Sequence, residues 1–395
     1  MTKSTNKQKR RPVLASKPLI GLGVAFYGRR YFNKRVKLEV VGSLKEIKPP
    51  YIVVANHSGF ADVGGLIVAA YPNCINFVIS VTQIVKWPKA IKYMGILPKK
   101  QFSVDTSLVR DIKYVLEHNR IVAIYPEAKL SVVGTPNIIK PSVAKLVKLC
   151  KVPLVTVRFD GSYLHKPRWA KSKRFVPLKA TVNLAVGADE IKTLSVDEIH
   201  NRIVNDLYYD DYAYQLANKI EITANDLAEG LEGVLYKCPN CGEEYAMTAK
   251  GDTLTCAKCG AAVRQNKYGQ LEGGRFAKVT DWYAWQTQCV ADELSQDGYA
   301  LSARFRAEKL VGKNYVDMGE AVVTHDASGI TAAFGEQTLF YKAGAFYTLS
   351  FNNDYLYLPA PEAVYRFKRL EKLGCTTKFN LAVERQTALL EDAKR

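Results

Sequence analysis

The sequence lacks several features that would define its function at once. No hydrophobic run approaches the roughly 20 residues that a membrane-spanning helix needs, so we expect any membrane association to be monotopic. No internal repeat occurs, and no low-complexity stretch follows the basic N-terminus. No Gly-x-Ser-x-Gly elbow occurs either, which argues against covalent catalysis by a serine. Any catalysis is therefore expected to use another group.

Cysteine is sparse outside one cluster. The 395 residues include eight cysteines, four of which are scattered singly: Cys74, Cys150, Cys289 and Cys375. Scattered cysteines in a large chain suit a reducing cytosol, where disulfides are rare. A signal peptide fits poorly, because Arg29 and Arg30 follow the first apolar run where a small-residue cleavage site would stand. We therefore expect the protein to work on the cytoplasmic side of the cell membrane.

Acidic residues are scarce at the N-terminus. The formal net charge is +18, and residues 1–50 contribute +11 of it, with thirteen Lys or Arg against two Glu. This charge flanks one apolar patch, Pro18 to Gly28. Such a patch is typical of a segment that lies on an anionic bilayer. We predict that residues 1–48 dock on an anionic membrane surface, peripherally or monotopically; the alternative is a disordered basic tail leading into the first core element.

Residues 49–225 alternate between strand-like and helix-like runs. The predicted strands are 51–55, 75–80, 121–125, 153–159 and 181–186. The predicted helices are 61–70, 105–118, 141–148 and 195–209, the last with Ser195 and Glu198 as a capping box. The pattern predicts an α/β domain whose mainly parallel sheet is flanked by helices.

Two short strings follow strands of this predicted sheet. Asn56 to Asp62 follows the first strand, and Tyr125 to Ser131 follows a later one. Parallel strands deliver such strings to the same sheet edge, where α/β enzymes bind ligands. If Asp62 lies in the first turn of a helix, its carboxylate reaches back to the His57 ring and leaves one ring nitrogen able to take a proton. The spacing predicts a general-base pair, although a His with an Asp five residues on is common.

The chain resembles the glycerolipid acyltransferase superfamily, whose best-known members acylate lysophosphatidic acid. Its first block, Asn-His-x-x-x-x-Asp, appears as Asn56-His57 to Asp62, and its third as Tyr125-Pro126-Glu127-Ala128-Lys129-Leu130-Ser131. The second appears from Gly95 to Gln101, and the fourth as Val152-Pro153-Leu154-Val155. The four blocks keep the family's order over about residues 40–210.

The resemblance implies acyl transfer. His57 would be the general base, with Asp62 as its orienter, and Glu127 with nearby cations would hold the acceptor. The donor would be acyl-CoA or acyl carrier protein, and the acceptor a lysophospholipid or another lipid. An upstream Lys of the family matches Lys86.

The basic residues of the family's second and third blocks are replaced. Gln101 stands where the second block has Arg, and Ala128-Lys129-Leu130 stands for Gly-Thr-Arg. The family's Arg residues bracket the acceptor phosphate, and Lys does not reproduce bidentate Arg contacts. Either Lys86, Lys99, Lys100 and Lys129 supply point charges instead, or the acceptor lacks a glycerol phosphate. Solvated surface lysines are the alternative interpretation of all four.

A second motif has metal-ligand spacing. Cys238-Pro-Asn-Cys241 and Cys256-Ala-Lys-Cys259 are each followed by glycine. Two such knuckles build a tetrahedral four-sulfur site that favours Zn²⁺. Because all four ligands are protein sulfurs, we predict a structural zinc ribbon at residues 232–270 and no catalytic cofactor.

Residues 272–395 contain short alternating apolar runs separated by glycine and asparagine. They predict a β-rich C-terminal domain with a helix at 282–294, a closing helix at 361–372 and a charged tail. No catalytic constellation is visible there.

Two other functions fit parts of the sequence. A nucleic-acid-binding protein would explain the ribbon and the net charge, but residues 238–260 hold two Lys against three acidic residues, which disfavours nucleic acid as a partner. A catalytically inactive lipid-binding scaffold would explain the lost Arg residues, but the intact His57 and Asp62 argue against it.

Overall fold

The computed structural model describes residues 11–84, 94–100, 105–360 and 363–393. Lys86 and Gln101 lie outside these residues, so the expectations placed on them have no structural counterpart here.

The first sheet within the described ranges has seven strands in the order β1-β7-β6-β2-β5-β3-β4. The strands are β1 Leu38–Val41, β2 Tyr51–Ala55, β3 Ile75–Ser80, β4 Leu97–Lys99, β5 Ile121–Ile124, β6 Leu154–Asp160 and β7 Leu178–Val186. Every residue of β2 is buried, as expected for the apolar centre of a parallel sheet. β6 and β7 pair antiparallel, whereas the other neighbours pair parallel. The predicted mainly parallel α/β sheet is confirmed.

Helices connect and cover these strands. They are α1 Lys17–Tyr27, α2 Phe60–Ala70, α3 Val81–Ile84, α4 Thr106–Glu117, α5 Ser142–Cys150, α6 Ser162–His165, α7 Val196–Asp206 and α8 Asp211–Ala217, with a π-helical stretch Gly28–Val36 and a 3₁₀ turn Glu190–Lys192. α7 begins with the predicted capping box: the Ser195 hydroxyl accepts from the Glu198 N–H at 3.2 Å, and the Glu198 carboxylate accepts from the Ser195 N–H at 2.7 Å.

The cysteine-rich segment folds as a small antiparallel sheet. Its strands, in the order β11-β10-β9-β8, are β8 Met247–Lys250, β9 Thr253–Cys256, β10 Ala262–Gln265 and β11 Leu271–Glu272. A 3₁₀ turn, Leu231–Gly233, precedes it. The fourteen residues between the two cysteine pairs hold the β8–β9 hairpin, which brings both knuckles to one end of the sheet.

The C-terminal region is β-rich, as predicted. Its described strands form an antiparallel sheet in the order β15-β14-β13-β12-β18-β17-β16. They are β12 Ala300–Val311, β13 Asn314–Asp326, β14 Gly329–Phe334, β15 Gln337–Lys342, β16 Ser350–Phe351, β17 Tyr355–Ala360 and β18 Ala363–Arg369. Two helices pack with it, α9 Val279–Leu294 and α10 Cys375–Asp392.

The predicted closing helix at 361–372 is wrong. Residues Ala363–Arg369 form β18, because Tyr365 and Phe367 alternate with exposed or half-buried residues and point into the sheet core. The segment interpreted as a charged tail is instead helix α10. Its first half is almost wholly buried, including Phe379 and Leu381.

One hydrophobic cluster crosses the predicted domain limits. It joins Tyr163 and Trp169 of the α/β part to Leu254 of the ribbon and to Phe305 and Phe379 of the C-terminal region. A shared core of this kind holds the three parts against one another, since apolar area is buried on both sides of each boundary.

Candidate active site

His57 and Asp62 meet at the carboxyl end of β2. Gly59 precedes the first residue of α2, so Asp62 lies in the first turn of the helix. Its Oδ2 lies 3.3 Å from His57 Nδ1 and accepts from the N–H groups of Ser58 and Gly59, each at 3.0 Å. Asp62 is fully buried, and the His57 side chain is 21% exposed. The predicted geometry of this pair is present, with the second ring nitrogen not engaged by Asp62.

The surroundings of His57 favour its protonated form. Burial by itself lowers the pKa of His57, but the Asp62 carboxylate, and more weakly Glu127, outweigh that effect and hold the pKa above its usual value. An imidazole held in this way is suited to accept a proton from a bound group.

Asn56 fixes the backbone just before His57. Its side-chain oxygen accepts from the Phe159 N–H at 2.7 Å, and its amide donates to the Phe159 carbonyl at 2.9 Å. This pair of hydrogen bonds joins the end of β2 to β6. Asn56 therefore has a local structural role that was not assigned from the sequence, although it adjoins His57 in the motif.

Glu127 faces inward, onto His57. Its Oε1 accepts from the His57 N–H at 2.7 Å, and its Oε2 accepts from the Asn137 N–H at 2.7 Å and side-chain amide at 2.9 Å. Burial raises the pKa of Glu127, and these hydrogen bonds oppose the rise without cancelling it. Because the carboxylate is fully buried and occupied by protein donors, its contacts support a role in positioning His57 rather than the predicted role of holding an acceptor.

Two tyrosines complete the surroundings of His57. The Tyr125 ring lies 4.4 Å from the His57 ring between centroids, tilted by 32°. The Tyr209 hydroxyl lies 3.5 Å from Glu127 Oε2. Tyr125 was visible as the residue preceding Pro126 in the third block, whereas Tyr209 and Asn137 carried no signal, because their closeness to Glu127 comes from chain folding alone.

Lys129 is not placed as a substrate-binding cation. Its ammonium donates to Glu384 Oε1 at 2.5 Å and to Asn380 Oδ1 at 3.0 Å, both on α10. The Lys129 side chain is only 4% exposed. Burial lowers the pKa of Lys129, and Glu384 offsets part of that effect. The contacts correct the prediction that Lys129 faces the acceptor.

Lys99 and Lys100 lie at the far side of the same sheet edge. β4 ends at Lys99, three strands from β2 in the order β2-β5-β3-β4. At about 4.8 Å per strand, Lys99 is about 14 Å from the end of β2. Both side chains are exposed. They can meet only a part of a ligand that extends well away from His57.

An apolar cavity of about 70 Å³ opens beside α2. It is lined by Ile20, Val63, Ile67, Asn73, Ile75, Phe77, Ile79, Met94 and Ile96. Val63 and Ile67 bring one face of α2 to this lining, whereas His57 and Asp62 are not among its residues. Its lining suits hydrocarbon rather than a polar group.

The four predicted metal ligands converge. Their Sγ atoms all lie within 4.8 Å of one another, with 3.8 Å between Cys238 and Cys259 and 3.8 Å between Cys241 and Cys256. A tetrahedral ion with metal–sulfur bonds of about 2.3 Å needs sulfurs about 3.8 Å apart. The four cysteines therefore fit a metal ion, and all four are free thiols rather than disulfides.

Residues 24–160 match the family model described as Acyltransferase. The match runs from within α1 to the last residue of β6, and it contains His57, Asp62 and Glu127. The match covers 137 of the 395 residues. The match confirms the acyltransferase resemblance predicted from the four sequence blocks for this stretch, and the chain carries an acyltransferase domain.

Comparisons over the whole chain add little to this. No curated protein matches the sequence. Among solved structures, the chain is similar to the 1-acyl-sn-glycerophosphate (LPA) acyltransferase PlsC from Thermotoga maritima, with 18% identity over 48% of this chain and 79% of that chain and a TM-score of 0.39. That likeness carries no argument about the substrate of this acyltransferase domain.

Proposed function

We propose that the protein is an O-acyltransferase that moves a fatty acyl group from acyl-CoA or acyl carrier protein to a hydroxyl of a lysophospholipid or related lipid acceptor. The observation that carries this proposal is the His57–Asp62 pair inside the Acyltransferase match, with Glu127 on the His57 backbone. The apolar cavity beside α2 supports an acyl or lipid chain as part of the ligand.

The chemistry requires one proton to move out and back. With Nδ1 donating to Asp62, His57 Nε2 accepts the proton of the acceptor hydroxyl. The oxygen attacks the thioester carbonyl, a C–O bond forms, and the C–S bond breaks. The departing thiolate takes the proton from the imidazolium. Asp62 stabilises the charged ring between the two transfers, and no covalent acyl-enzyme is required.

The charged side chains of the second and third blocks bear on the identity of the acceptor. Lys129 is engaged by α10, and Glu127 by protein donors, so the third block offers neither side chain to a phosphate. Lys99 and Lys100 are the described lysines of the second block that remain exposed on the sheet edge. An acceptor with an anionic group far from its reactive hydroxyl fits this arrangement, as does an uncharged lipid.

We further propose that the protein acts at the cytoplasmic face of the cell membrane, peripherally or monotopically, on an anionic lipid surface. α1 carries large apolar side chains that other parts of the described structure leave exposed. Their exposed fractions are 42% for Leu19, 69% for Leu22, 68% for Phe26 and 55% for Tyr27. Arg30, Lys34 and Arg35 follow and are exposed. An apolar helix face with adjacent cations suits a lipid surface.

The apolar face of α1 continues onto a loop of the acyltransferase domain. The Tyr27 and Tyr31 rings lie 6.0 Å apart, and Tyr31 contacts His165, whose ring is 5.6 Å from Phe175. Phe175 is 49% exposed, and the Arg35 guanidinium lies 5.3 Å above its ring. These contacts support one surface rather than an isolated helix. No helix among the described residues has the length and hydrophobicity to cross a bilayer.

We propose Zn²⁺ as the ion of the four-cysteine site, with a structural role. Its four sulfurs fill a tetrahedral shell, so no position remains for a substrate. Two of the exposed basic residues of the ribbon are paired with acids: Lys258 with Glu243, and Arg264 with Asp252 at 2.7 Å. This pairing supports a folding role over nucleic-acid binding.

The test is acyl transfer by the full chain. The purified protein is incubated with acyl-CoA or acyl carrier protein thioesters and a panel of lysophospholipids and phosphate-free lipids, and products are identified by mass spectrometry. We expect His57→Gln to lower turnover by roughly 10²–10⁴-fold, while the control His118→Gln, at the exposed end of α4, keeps it. No product with any donor, or an equally active His57→Gln protein, would reject the proposal. Steeply salt-dependent binding to random duplex DNA without acyl transfer would favour the nucleic-acid function.

A further inference from the structure

The ammonium of Lys129 joins two distant parts of the chain. Lys129 lies in the loop after β5, and its partners Asn380 and Glu384 lie on α10, 251 and 255 positions away. The ammonium also lies 5.4 Å from the centre of the Phe351 ring, at the end of β16. An almost fully buried cation with these three partners is fixed in place.

The α10 side of this contact is itself held. Asn380 Oδ1 also accepts from the Leu349 N–H and the Thr348 hydroxyl, each at 3.1 Å. The Thr348 hydroxyl lies 2.6 Å from Glu384 Oε1 as well. Asn380 and Glu384 stand one helical turn apart, so they present their oxygens together to Lys129. The acceptor oxygens for Lys129 are therefore pre-arranged.

The other side of the loop is held by His57. Glu127 accepts from the His57 N–H at 2.7 Å, and the Ser131 N–H donates to the His57 carbonyl at 2.8 Å. The Asn137 amide lies 3.4 Å from the Lys129 carbonyl. The five residues from Glu127 to Ser131 thus lie between His57 on one side and α10 on the other.

A second cation supports the same loop from the same side. The Arg168 guanidinium lies 4.2 Å from the centre of the Phe351 ring and 3.5 Å from the Leu130 carbonyl. Both Lys129 and Arg168 therefore bring the loop against Phe351. The C-terminal region contacts the loop through charge, hydrogen bonds and an aromatic ring at once.

A buried ion pair of this kind needs a reason beyond stability. Removing two charges from water costs about as much as their attraction returns, and an apolar pair of similar size is often as stable. What the pair adds is a defined position for the loop. The Lys129 ammonium has one set of acceptors on α10, so the loop that carries it has one position that matches them. That property is useful where a loop must hold a reacting histidine.

We propose that Glu384, supported by Asn380, is a positioning residue of the acyl-transfer site. It fixes Lys129, and through the loop it fixes Glu127 against the backbone of His57. The C-terminal region is then part of the catalytic unit rather than an appendage. This inference rests on the proposed acyl transfer, since it concerns the alignment of the histidine that performs it.

The matched control lies on the same helix. Lys140 pairs with Glu391 of α10 at 2.5 Å, but these side chains are 24% and 49% exposed. This pair also joins the acyltransferase domain to α10, without contacting the loop or His57. Glu391→Gln removes a comparable charge from the same interface and leaves the site untouched.

The experiment compares Glu384→Gln with Glu391→Gln in the full chain, using acyl transfer and thermal unfolding. We expect Glu384→Gln to lower kcat by roughly 10²-fold with little change in KM, because misaligning a reacting group by about 1 Å has an effect of that size. We expect Glu391→Gln to keep the wild-type kcat. Equal kcat values for the two variants would overturn the inference.

A double variant separates alignment from folding. Glu384→Gln leaves Lys129 without a buried carboxylate and lowers stability, whereas Lys129→Met with Glu384→Met removes both charges and replaces them with side chains of similar length. We expect the double variant to recover the unfolding temperature but not kcat. Recovery of kcat together with stability would show that the pair serves folding alone, and would overturn the inference.

The pH profile gives a further readout. The charged or titratable groups that face His57 are Asp62 from α2, Glu127 from the loop, Tyr125 from the end of β5 and, through Glu127, Tyr209. If the loop shifts, Glu127 recedes and the acidic limb of kcat/KM moves to lower pH in Glu384→Gln. An unchanged limb would contradict the positioning role. A wild-type protein without acyl transfer would instead reject the proposed function, before any variant is compared.

Discussion

One carboxylate oxygen of Asp62 both orients the His57 ring and caps helix α2. Asp62 accepts three donors through a single oxygen: the His57 ring and the N–H groups of Ser58 and Gly59. The same atom therefore orients the base and caps the start of α2. A residue with both duties cannot be exchanged for a neutral one without loss of alignment, because its position and its charge serve together.

The pH dependence of activity follows from this pair. The pKa of His57 is raised above its usual value, so turnover should fall as pH decreases through that raised pKa, because the protonated ring cannot act as a base. In Asp62→Asn, burial is no longer outweighed and the pKa of His57 falls, so the acidic limb of kcat/KM should move to lower pH. The maximal rate should drop by roughly 10²–10⁴-fold. The measurement is a pH–rate profile of both proteins.

Asp189→Asn is a suitable control for that profile. Asp189 is exposed, and its side chain makes no cap hydrogen bond in the described structure. Its substitution should change neither the acidic limb of kcat/KM nor the maximal rate. An Asp62→Asn protein whose limb stays with that of wild type would contradict the assigned cause of the raised His57 pKa.

At the scale of elements, α1 is a helix with an unusual surface. It carries no buried residue, and its contacts with α2 leave Leu22 and Phe26 about two-thirds exposed. The π-helical stretch that follows buries Phe32 and Val36 and so anchors α1 to the domain. Ahead of α1, Ala15 is buried and donates its N–H to Asn76 Oδ1 at 3.2 Å. A helix anchored on both sides, with its apolar side chains outward, supports the proposed docking on a surface outside the protein.

We expect Leu22→Glu with Phe26→Glu to release the protein from anionic liposomes. The change removes apolar contact and adds negative charge beside anionic lipid, and both effects weaken binding. Sedimentation with liposomes that contain or lack anionic lipid measures it. The control is Leu216→Glu on α8, where an apolar side chain is 45% exposed. Equal liposome binding by the two variants would show that α1 is not part of the docking surface.

The elements also show where periodicity served the prediction and where it did not. β2, β3 and β5 were found close to their predicted limits, since continuous apolar runs between turn residues define buried strands. β18 was mistaken for a helix although Tyr365 and Phe367 alternate. The sequence did not predict α10, because its buried polar residues, such as Asn380, look solvated in sequence. Their burial is explained by distant partners: Lys129, Thr348 and the Leu349 N–H for Asn380.

At the scale of the whole molecule, the ribbon is tied to the same helix as the acyltransferase loop. Glu244, which follows the first cysteine knuckle, accepts from Lys378 of α10 at 2.7 Å and from Lys237 at 3.2 Å. Glu293 of α9 pairs with both lysines, at 2.7 and 3.1 Å. The ribbon and the loop near His57 thus contact different turns of α10, the ribbon through Lys378 and the loop through Glu384.

Metal removal should therefore weaken more than the ribbon. A ribbon with few buried apolar side chains depends on its ion for folding, and its loss would free Glu244 and loosen α10. We expect a strong chelator, or Cys259→Ser, to lower the thermal unfolding temperature by about 10 °C or more, at about 2–4 °C per kcal/mol. Circular dichroism melts alongside measured zinc release test this. Cys289→Ser, outside the cluster, is the control; zinc release without a shift in melting would contradict the structural role.

The sequence by itself determined what depends on neighbouring positions. It contained the alternation of the α/β domain, the five-residue spacing from His57 to Asp62, and the two cysteine knuckles, because strand period, helix turn and metal-ligand spacing are local geometry. Only the tertiary structure decided that Glu127 turns to the His57 backbone and that Lys129 meets Glu384. Those partners are 70 and 255 positions apart, and which distant side chain fills a buried position depends on the packing of every element between them.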